Sequence, residues 1–198
     1  MRVIAGRWRG RPLRAPKGLA VRPTSDRVRE AIFGLLGEEV SGASVLDLFA
    51  GSGALGLEAL SRGASKAVFV EADPVAFAVL RKNLESLGVE ASETLRMDYR
   101  QALRRLRARA MRFRLAFLDP PYGTGLAAES AAGIDRAGLV EDGGAVVVEE
   151  AFRAPEAVFP PGWELAADRR YGDTRVMVFR VSFMTAAGNL QETGKETQ

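Results

Sequence analysis

The stretch that most constrains the fold is Val45 to Leu60, with the sequence VLDLFAGSGALGLEAL. A short apolar run containing Asp47 leads through Gly51, Gly53 and Gly56 into apolar residues at helical spacing. This order predicts a strand, a tight turn and a helix. Glycine lets the backbone turn sharply and approach a ligand, and the first N–H groups of the helix face the same crevice. We predict a nucleotide-type binding loop, with a plain glycine-rich turn of an α/β core as the alternative.

A carboxylate follows at the spacing expected for ribose recognition. Glu71 closes the next apolar run, AVFVEAD, about twenty residues after Gly51. A carboxylate at this position can accept hydrogen bonds from ribose hydroxyl groups. The loop and the acid therefore predict a ribose-bearing ligand but leave its identity open, because dinucleotide-binding oxidoreductases share both features.

A second informative stretch is LAFLDPPYG, a predicted strand from Leu115 to Leu118 that ends in an acid and two prolines. Pro120 and Pro121 cannot donate to a sheet and restrict φ, so the chain leaves the strand with little freedom. Asp119 and Tyr122 are thereby presented at the carboxyl end of a strand, where open α/β sheets bind ligands. The alternative is a proline turn with a capping acid.

This combination suits chemistry on the exocyclic amine of a nucleobase. The lone pair of such an amine is delocalised into the ring, and the nitrogen must lose a proton once it is alkylated. The carboxylate of Asp119 can accept one N–H and the carbonyl of Pro120 the other, which is catalysis mainly by positioning. Tyr122 offers a flat face on which an extruded base can stack.

These motifs, in this order and with Asp98 after the third apolar run, resemble the S-adenosylmethionine-dependent amino-methyltransferases of the N6-adenine and N2-guanine type. The segments GRWRGRPL and RPTSDRVREAIF narrow the resemblance to the bacterial small-subunit ribosomal RNA guanine-N2 methyltransferase D family, over about Met1 to Phe183. The resemblance implies an α/β, Rossmann-like class I methyltransferase fold with a mainly parallel sheet and an antiparallel final hairpin. Gly172 and Asp173 are the predicted turn of that hairpin.

The resemblance also implies roles for individual residues, with S-adenosylmethionine as cofactor. Gly51 and Gly53 would lie near its methionine part, Glu71 on the ribose and Asp98 near the adenine. From the residues alone, Asp98 could equally cap the following helix, and the two roles are compatible. The predicted catalytic residues are Asp119, Pro120, Pro121 and Tyr122. The predicted cofactor-binding residues are Asp47, Phe49, Gly51, Gly53, Glu71, Ala72, Asp98, Tyr99, Thr24 and Arg27.

The amino-terminal segment predicts contact with nucleic acid. Residues 1–22 contain basic side chains and no acid, interleaved with an indole that could stack on a base. We interpret residues 1–22 as an RNA-binding arm or hairpin, residues 23–183 as the methyltransferase domain and residues 184–198 as a polar tail. A solvated basic tail is the alternative. The predicted RNA-binding residues are Arg7, Trp8, Arg9, Arg11, Arg14 and Arg22.

Composition excludes several other classes of enzyme. The chain has no cysteine and no histidine, which excludes a Ser-His-Asp hydrolase, a thiol-dependent methyltransferase and a thiolate metal site. No apolar run is long enough to span a bilayer, and no signal peptide is evident. We therefore expect a cytoplasmic monomer that uses no metal.

The combined expectation is methyl transfer to the N2 amine of a guanine in 16S ribosomal RNA, within an assembling small ribosomal subunit. A DNA adenine-N6 methyltransferase is one alternative, since DPPY does not distinguish the two amines. An NAD-dependent oxidoreductase and a catalytically silent RNA-binding protein are the others. A run of arginines after Tyr99 recurs at helical spacing and is interpreted as a solvated face.

Overall fold

The computed structural model describes residues 1–16 and 25–182 of the chain. Within them the helices are α1 Asp26–Leu36, α2 Ala54–Ser61, α3 Pro74–Leu87, α4 Tyr99–Ala108 and α5 Leu126–Ala137. The strands are β1 Ser44–Asp47, β2 Lys66–Val70, β3 Ser92–Leu95, β4 Phe113–Leu118, β5 Val140–Ala151, β6 Trp163–Tyr171 and β7 Thr174–Val181. Short 3-10 turns occur at Gly6–Trp8 and Gly37–Val40. None of these helices is long and apolar enough to cross a membrane.

The strands form one seven-stranded sheet in the order β3-β2-β1-β4-β5-β7-β6. Strands β1 to β5 pair in parallel, whereas β7 pairs antiparallel with both β5 and β6. The strand order reverses between β1 and β4, so the loops that follow these two strands lie at one crevice. The predicted α/β fold with its antiparallel final hairpin is confirmed.

Both faces of the sheet are covered, which explains why its central strands are apolar at successive positions. Val45, Phe117 and Val147 face a layer that contains α1, α2 and α3. Leu46 and Leu118 face the layer formed by α4 and α5. Residues of α2 and α3 therefore lie on the opposite side of the sheet from those of α4.

Polar residues at the strand ends also start the next helix. The side chain of Asp73 accepts from the N–H of Ala76 at 2.7 Å, and that of Asp98 accepts from the N–H of Arg100 at 2.8 Å. The N-cap of α1 is Ser25. Each bond satisfies one of the N–H groups that a helix start leaves without an intrahelical partner. The predicted capping role of Asp98 is therefore present.

Residues 1–16 fold as a hairpin that shares the main core. The N–H of Val3 donates to the carbonyl of Arg11, and the N–H of Leu13 donates to that of Met1, both at 3.0 Å. Val3 and Leu13 are buried in the same apolar cluster as α1, α2 and α3. The backbone and the apolar residues of the basic segment thus hold it against the domain. Its arginine side chains lie on the outer side of this hairpin. Residues 17–24 and 183–198, including Lys17, Arg22, Thr24 and the predicted tail, lie outside the described residues.

Asn83 connects this hairpin to the glycine loop. Its amide nitrogen donates to the carbonyl of Arg14 at 3.0 Å and to that of Ser52 at 2.9 Å. Its oxygen accepts from the N–H of Arg14 at 2.9 Å. The fully buried amide thereby satisfies backbone groups from two segments far apart in the chain.

Candidate active site

A cavity of about 420 Å³ opens at the carboxyl ends of β1, β2, β3 and β4. Its size falls within the range of small-molecule and cofactor sites. The walls come from the chain segments that follow four strands, and from Met1 and Pro16 of the hairpin. Of the predicted site residues, the cavity is lined by Asp47, Phe49, Gly51, Glu71, Ala72, Asp98, Tyr99, Asp119 and Pro121.

The glycine loop allows both a left-handed turn and close packing. Gly53 has φ 83° and caps the start of α2, so it shapes the loop while Gly51 forms the cavity wall. A Cβ atom at Gly56 would lie 2.3 Å from the Phe69 ring, so the third glycine allows α2 to pack directly on β2. The predicted loop geometry is present, and each glycine has a distinct physical reason.

Glu71 joins the loop after β1 to the loop after β2. One carboxylate oxygen accepts from the N–H of Gly51 and the other from the N–H of Asp73, each at 2.7 Å. These two bonds fix the orientation of the carboxylate at the cavity wall. Each carboxylate oxygen has a further lone pair, so Glu71 can also accept from a ligand hydroxyl.

Asp47 is the buried acid beneath the loop. Its side chain is 1% exposed and accepts from the N–H of Gly56 at 3.0 Å. Burial raises the pKa of Asp47 from 3.8 to about 7; the negative charge of Glu71 adds to this shift and the Gly56 bond opposes it. The charge on Asp47 is therefore costly in this structure.

This shift makes stability depend on pH in a defined direction. Because the folded pKa of Asp47 lies above the unfolded value, the folded state binds more protons between pH 4 and pH 7. Its contribution to the free energy of unfolding is then fully present below about pH 4 and is lost as pH rises to about 7. Relative to an Asp47→Asn variant, wild type should lose roughly 2 kcal/mol between pH 5 and pH 8. Urea unfolding at several pH values measures the free energy of unfolding of both proteins. An equal change with pH in the two proteins would contradict this expectation.

An aromatic pair forms another part of the wall. The rings of Phe49 and Tyr99 lie 5.2 Å apart between centroids, and the guanidinium of Arg100 lies 4.6 Å from the Tyr99 ring centre. Burial raises the pKa of Tyr99 to about 12, and the negative charge of Glu129 adds to this shift. The pair provides a flat, uncharged surface suited to a heterocyclic ring.

The Asp119–Tyr122 segment divides between the cavity and its outer rim. Asp119 and Pro121 line the cavity, while Pro120 is buried. The Tyr122 ring lies outside the cavity wall and is 38% exposed. Its hydroxyl donates to Glu149 Oε1 at 2.7 Å and lies 3.2 Å from the hydroxyl of Thr174. The ring is therefore held in place beside the opening.

Glu149 and Thr174 were not predicted as partners of Tyr122. Glu149 lies near the end of the buried run of β5, is 2% exposed, and pairs across the sheet with Val176. Burial and the charge of Glu149 raise the pKa of Tyr122 above its usual value, so the phenol remains a neutral donor. An acid at the end of a buried strand was the sequence signal, but nothing in the sequence connected it to Tyr122.

Besides Gly53, two predicted cofactor residues fall outside the cavity wall or the described chain. Arg27 lies exposed in the first turn of α1 and does not line the cavity. Thr24 lies outside the described residues. The assignment of both to the cofactor stays a prediction.

Of the predicted RNA-binding residues of the hairpin, Trp8 and Arg11 lie away from this cavity, whereas Arg14 is joined through Asn83 to the glycine loop. The N–H of Trp8 donates to Ser61 at the end of α2, and the guanidinium of Arg11 donates to the carbonyl of Ser86 near the end of α3. Both helices run antiparallel to the strands, so the hairpin turn lies near the amino ends of the parallel strands, opposite the edge at which the cavity opens. Trp8 is half-buried against the core with Arg7 over its ring, whereas Arg9, Arg11 and Arg14 are exposed.

A second depression, of about 560 Å³, lies at that opposite edge and includes Ser44, Lys66, Arg114 and Glu141 in its lining. It contains none of the motif residues. Among the residues that the structure describes, no group of three or more acids is placed to hold a metal ion.

A family model described as Conserved hypothetical protein 95 matches residues 1–180. The chain belongs to this family. It is 38% identical over 185 residues to the Putative rRNA methyltransferase YlbH of Bacillus subtilis, covering 91% of this chain and 98% of the relative. It is 35% identical over 180 residues to the Ribosomal RNA small subunit methyltransferase D of Escherichia coli, covering 91% and 89%. The resemblance predicted from the motifs is confirmed.

Solved structures support the same placement. The chain aligns with the Putative methyltransferase yhhF from Escherichia coli with a TM-score of 0.81 and 34% identity, covering 92% of this chain and 98% of the other. It aligns with the putative methylase HI0767 from Haemophilus influenzae with a TM-score of 0.76 and 29% identity, covering 92% and 99%. Fold and relatives together support a methyltransferase.

Proposed function

We propose that this protein transfers a methyl group from S-adenosylmethionine to the exocyclic N2 amine of a guanine in 16S ribosomal RNA, within the small ribosomal subunit. The observation that carries the proposal is that Asp119 shares one cavity with the glycine loop, Glu71 and Asp98. Relatives named as ribosomal RNA small subunit methyltransferases support the choice of substrate.

The residues of the cavity fit this cofactor. Glu71 is oriented to accept ribose hydroxyls, Phe49 and Tyr99 suit an adenine ring, and Asp98 lies on the same wall. Gly51 has φ 54°, and no atom lies near its missing Cβ, so its backbone is open to a ligand. When bound, the cofactor supplies an electrophilic methyl group on a sulfonium.

The protein's own groups act on the target amine. Asp119 accepts one N–H of the amine, and the Pro120 carbonyl accepts the other, which turns the nitrogen lone pair towards the cavity. The carboxylate of Asp119 can then take the proton that the nitrogen loses as its new carbon bond forms. Tyr122, fixed through Glu149, presents its ring to the face of the extruded base.

Replacing Glu71 by glutamine tests the cofactor half of the proposal. The amide leaves at most one acceptor oxygen for the two backbone N–H groups and for a ribose hydroxyl. Because hydrogen bonds to a charged group contribute about 1.5–3 kcal/mol, the dissociation constant for S-adenosylhomocysteine should rise roughly 10- to 100-fold. Calorimetric titration measures it, with the exposed Glu85→Gln as control. Unchanged affinity in Glu71→Gln would remove this residue from the cofactor site.

Methyl transfer from labelled S-adenosylmethionine tests the function directly. Purified protein is incubated with small subunits, naked 16S RNA and plasmid DNA, and nucleosides from each are analysed by mass spectrometry. N2-methylguanosine in the RNA or the subunits supports the proposal, and mapping it names the nucleotide. N6-methyladenine in the plasmid would support the DNA enzyme instead. Binding of NADH without binding of S-adenosylhomocysteine would support an oxidoreductase.

A further inference from the structure

Helix α4 and the segment after it have an unusual charge pattern. Between Tyr99 and Arg114 the sequence contains seven arginines and no acid. The helix buries Tyr99, Ala102, Leu103 and Leu106, and its four arginines occupy the exposed sides. These four are Arg100, Arg104, Arg105 and Arg107, and the other three, Arg109, Arg112 and Arg114, follow the helix.

Arg100, Arg104 and Arg107 form one row on the side of α4 nearest α5. Arg100 makes two hydrogen bonds of 2.8 Å to Glu129 of α5, which locates the row. On the other side of the helix, Arg109 pairs with Glu93 of β3 at 2.6 Å. Within residues 1–16 and 25–182, Arg104 and Arg107 make no ion pair.

Exposure to solvent alone does not explain why the arginines of α4 have no acidic residues three or four positions away. Like charges three or four residues apart destabilise a helix by a few tenths of a kcal/mol per pair, and acids at the same spacing stabilise it by about as much. Helix α3 of the same chain follows that pattern, with Glu85 after Arg81 and Lys82. Helix α4 lacks such compensation, which indicates a polyanionic partner.

The row begins at the active-site cavity. Arg100 lines the cavity, and a rise of about 1.5 Å per residue places Arg104 and Arg107 roughly 6 and 10 Å farther along the helix axis. The row lies on the face of the sheet opposite the amino-terminal hairpin. A nucleic acid with one base at Asp119 can therefore pass along α4 on the face of the sheet that the hairpin does not cover.

We propose that Arg104 and Arg107 bind phosphate groups of the substrate RNA, as a contact surface on α4 separate from the hairpin. This inference rests on the proposed function for the identity of the polyanion. Guanidinium groups suit phosphate oxygens, and such contacts position the chain without reading its sequence. This proposal is the alternative to the interpretation of these arginines as a solvated face.

The test compares two double variants that remove the same charge. Arg104→Gln/Arg107→Gln alters the row, and Arg81→Gln/Lys82→Gln alters exposed residues of α3. Binding of a 16S RNA fragment is measured by filter retention from 0.05 to 0.3 M salt. Loss of two phosphate contacts should lower the slope of log affinity against log salt by about 1.4 and weaken binding roughly 10-fold or more at 0.1 M. The α3 variant should match wild type.

Catalysis and folding are measured on the same proteins. The α4 variant should keep its affinity for S-adenosylhomocysteine and its kcat at saturating RNA, while KM rises. An α4 variant with the affinity and salt slope of wild type, an equal loss in the α3 variant, or a wild type that does not bind the RNA would overturn the inference. A wild type that binds through α4 but transfers no methyl group would instead overturn only the proposed function.

Discussion

Methyl transfer by an Asp119→Asn variant is expected to be roughly 10²- to 10⁴-fold slower than by wild type. Asparagine keeps the size of the side chain but replaces one acceptor oxygen with an N–H donor, and it cannot take a proton from the amine. Asp119 lies at the end of β4 next to buried Pro120, so the side chain has little freedom to find another geometry. Affinity for S-adenosylhomocysteine should change less than threefold, because no cofactor contact is assigned to Asp119.

Single-turnover transfer of labelled methyl to small subunits measures this effect without interference from product release. Asp142→Asn makes the same chemical change at an exposed position near the amino end of β5, away from the cavity. This variant should behave as wild type. If Asp119→Asn transfers methyl within threefold of the wild-type rate, the amine clamp is wrong even if the substrate is right.

The Glu58→Ala variant is expected to lose roughly 3–5 kcal/mol of unfolding free energy. Glu58 lies in α2 with 1% of its surface exposed. Its carboxylate accepts from the N–H groups of Ile4 at 2.7 Å and Ala5 at 3.0 Å, and from the guanidinium of Arg62 at 2.7 Å. Alanine leaves these partly buried donors without their acceptor, which costs more than the net value of the bonds themselves.

Urea unfolding measures the change, and amide hydrogen exchange locates it. The amides of Val3 and Leu13, which hold the hairpin together, should lose protection first. Glu85→Ala removes an exposed carboxylate from the neighbouring helix and should change stability by less than 1 kcal/mol. A loss below 1 kcal/mol for Glu58→Ala would show that Glu58 is not needed to hold the hairpin against the domain.

Local patterns determined much of this protein from sequence alone. Alternating strand and helix signals specified the parallel sheet, and the carboxyl ends of parallel strands lie at one edge. Asp47, Gly51, Glu71, Asp98 and Asp119 each follow or end a strand, so their convergence on one cavity could be predicted. The positions of these residues follow from short segments, whose geometry is determined by glycine, by proline and by the spacing of apolar residues.

Contacts between distant segments could be decided only by the tertiary structure. The sequence did not show that Glu58 and Asn83 anchor the amino-terminal hairpin, or that Glu149 and Thr174 hold Tyr122. Each contact depends on which helix packs on which face of the sheet and on strand register. No local residue pattern encodes these, because they result from the packing of the whole chain. The same packing places the basic hairpin and the arginines of α4 on opposite faces of the sheet. The two basic segments of the sequence therefore form two separate surfaces.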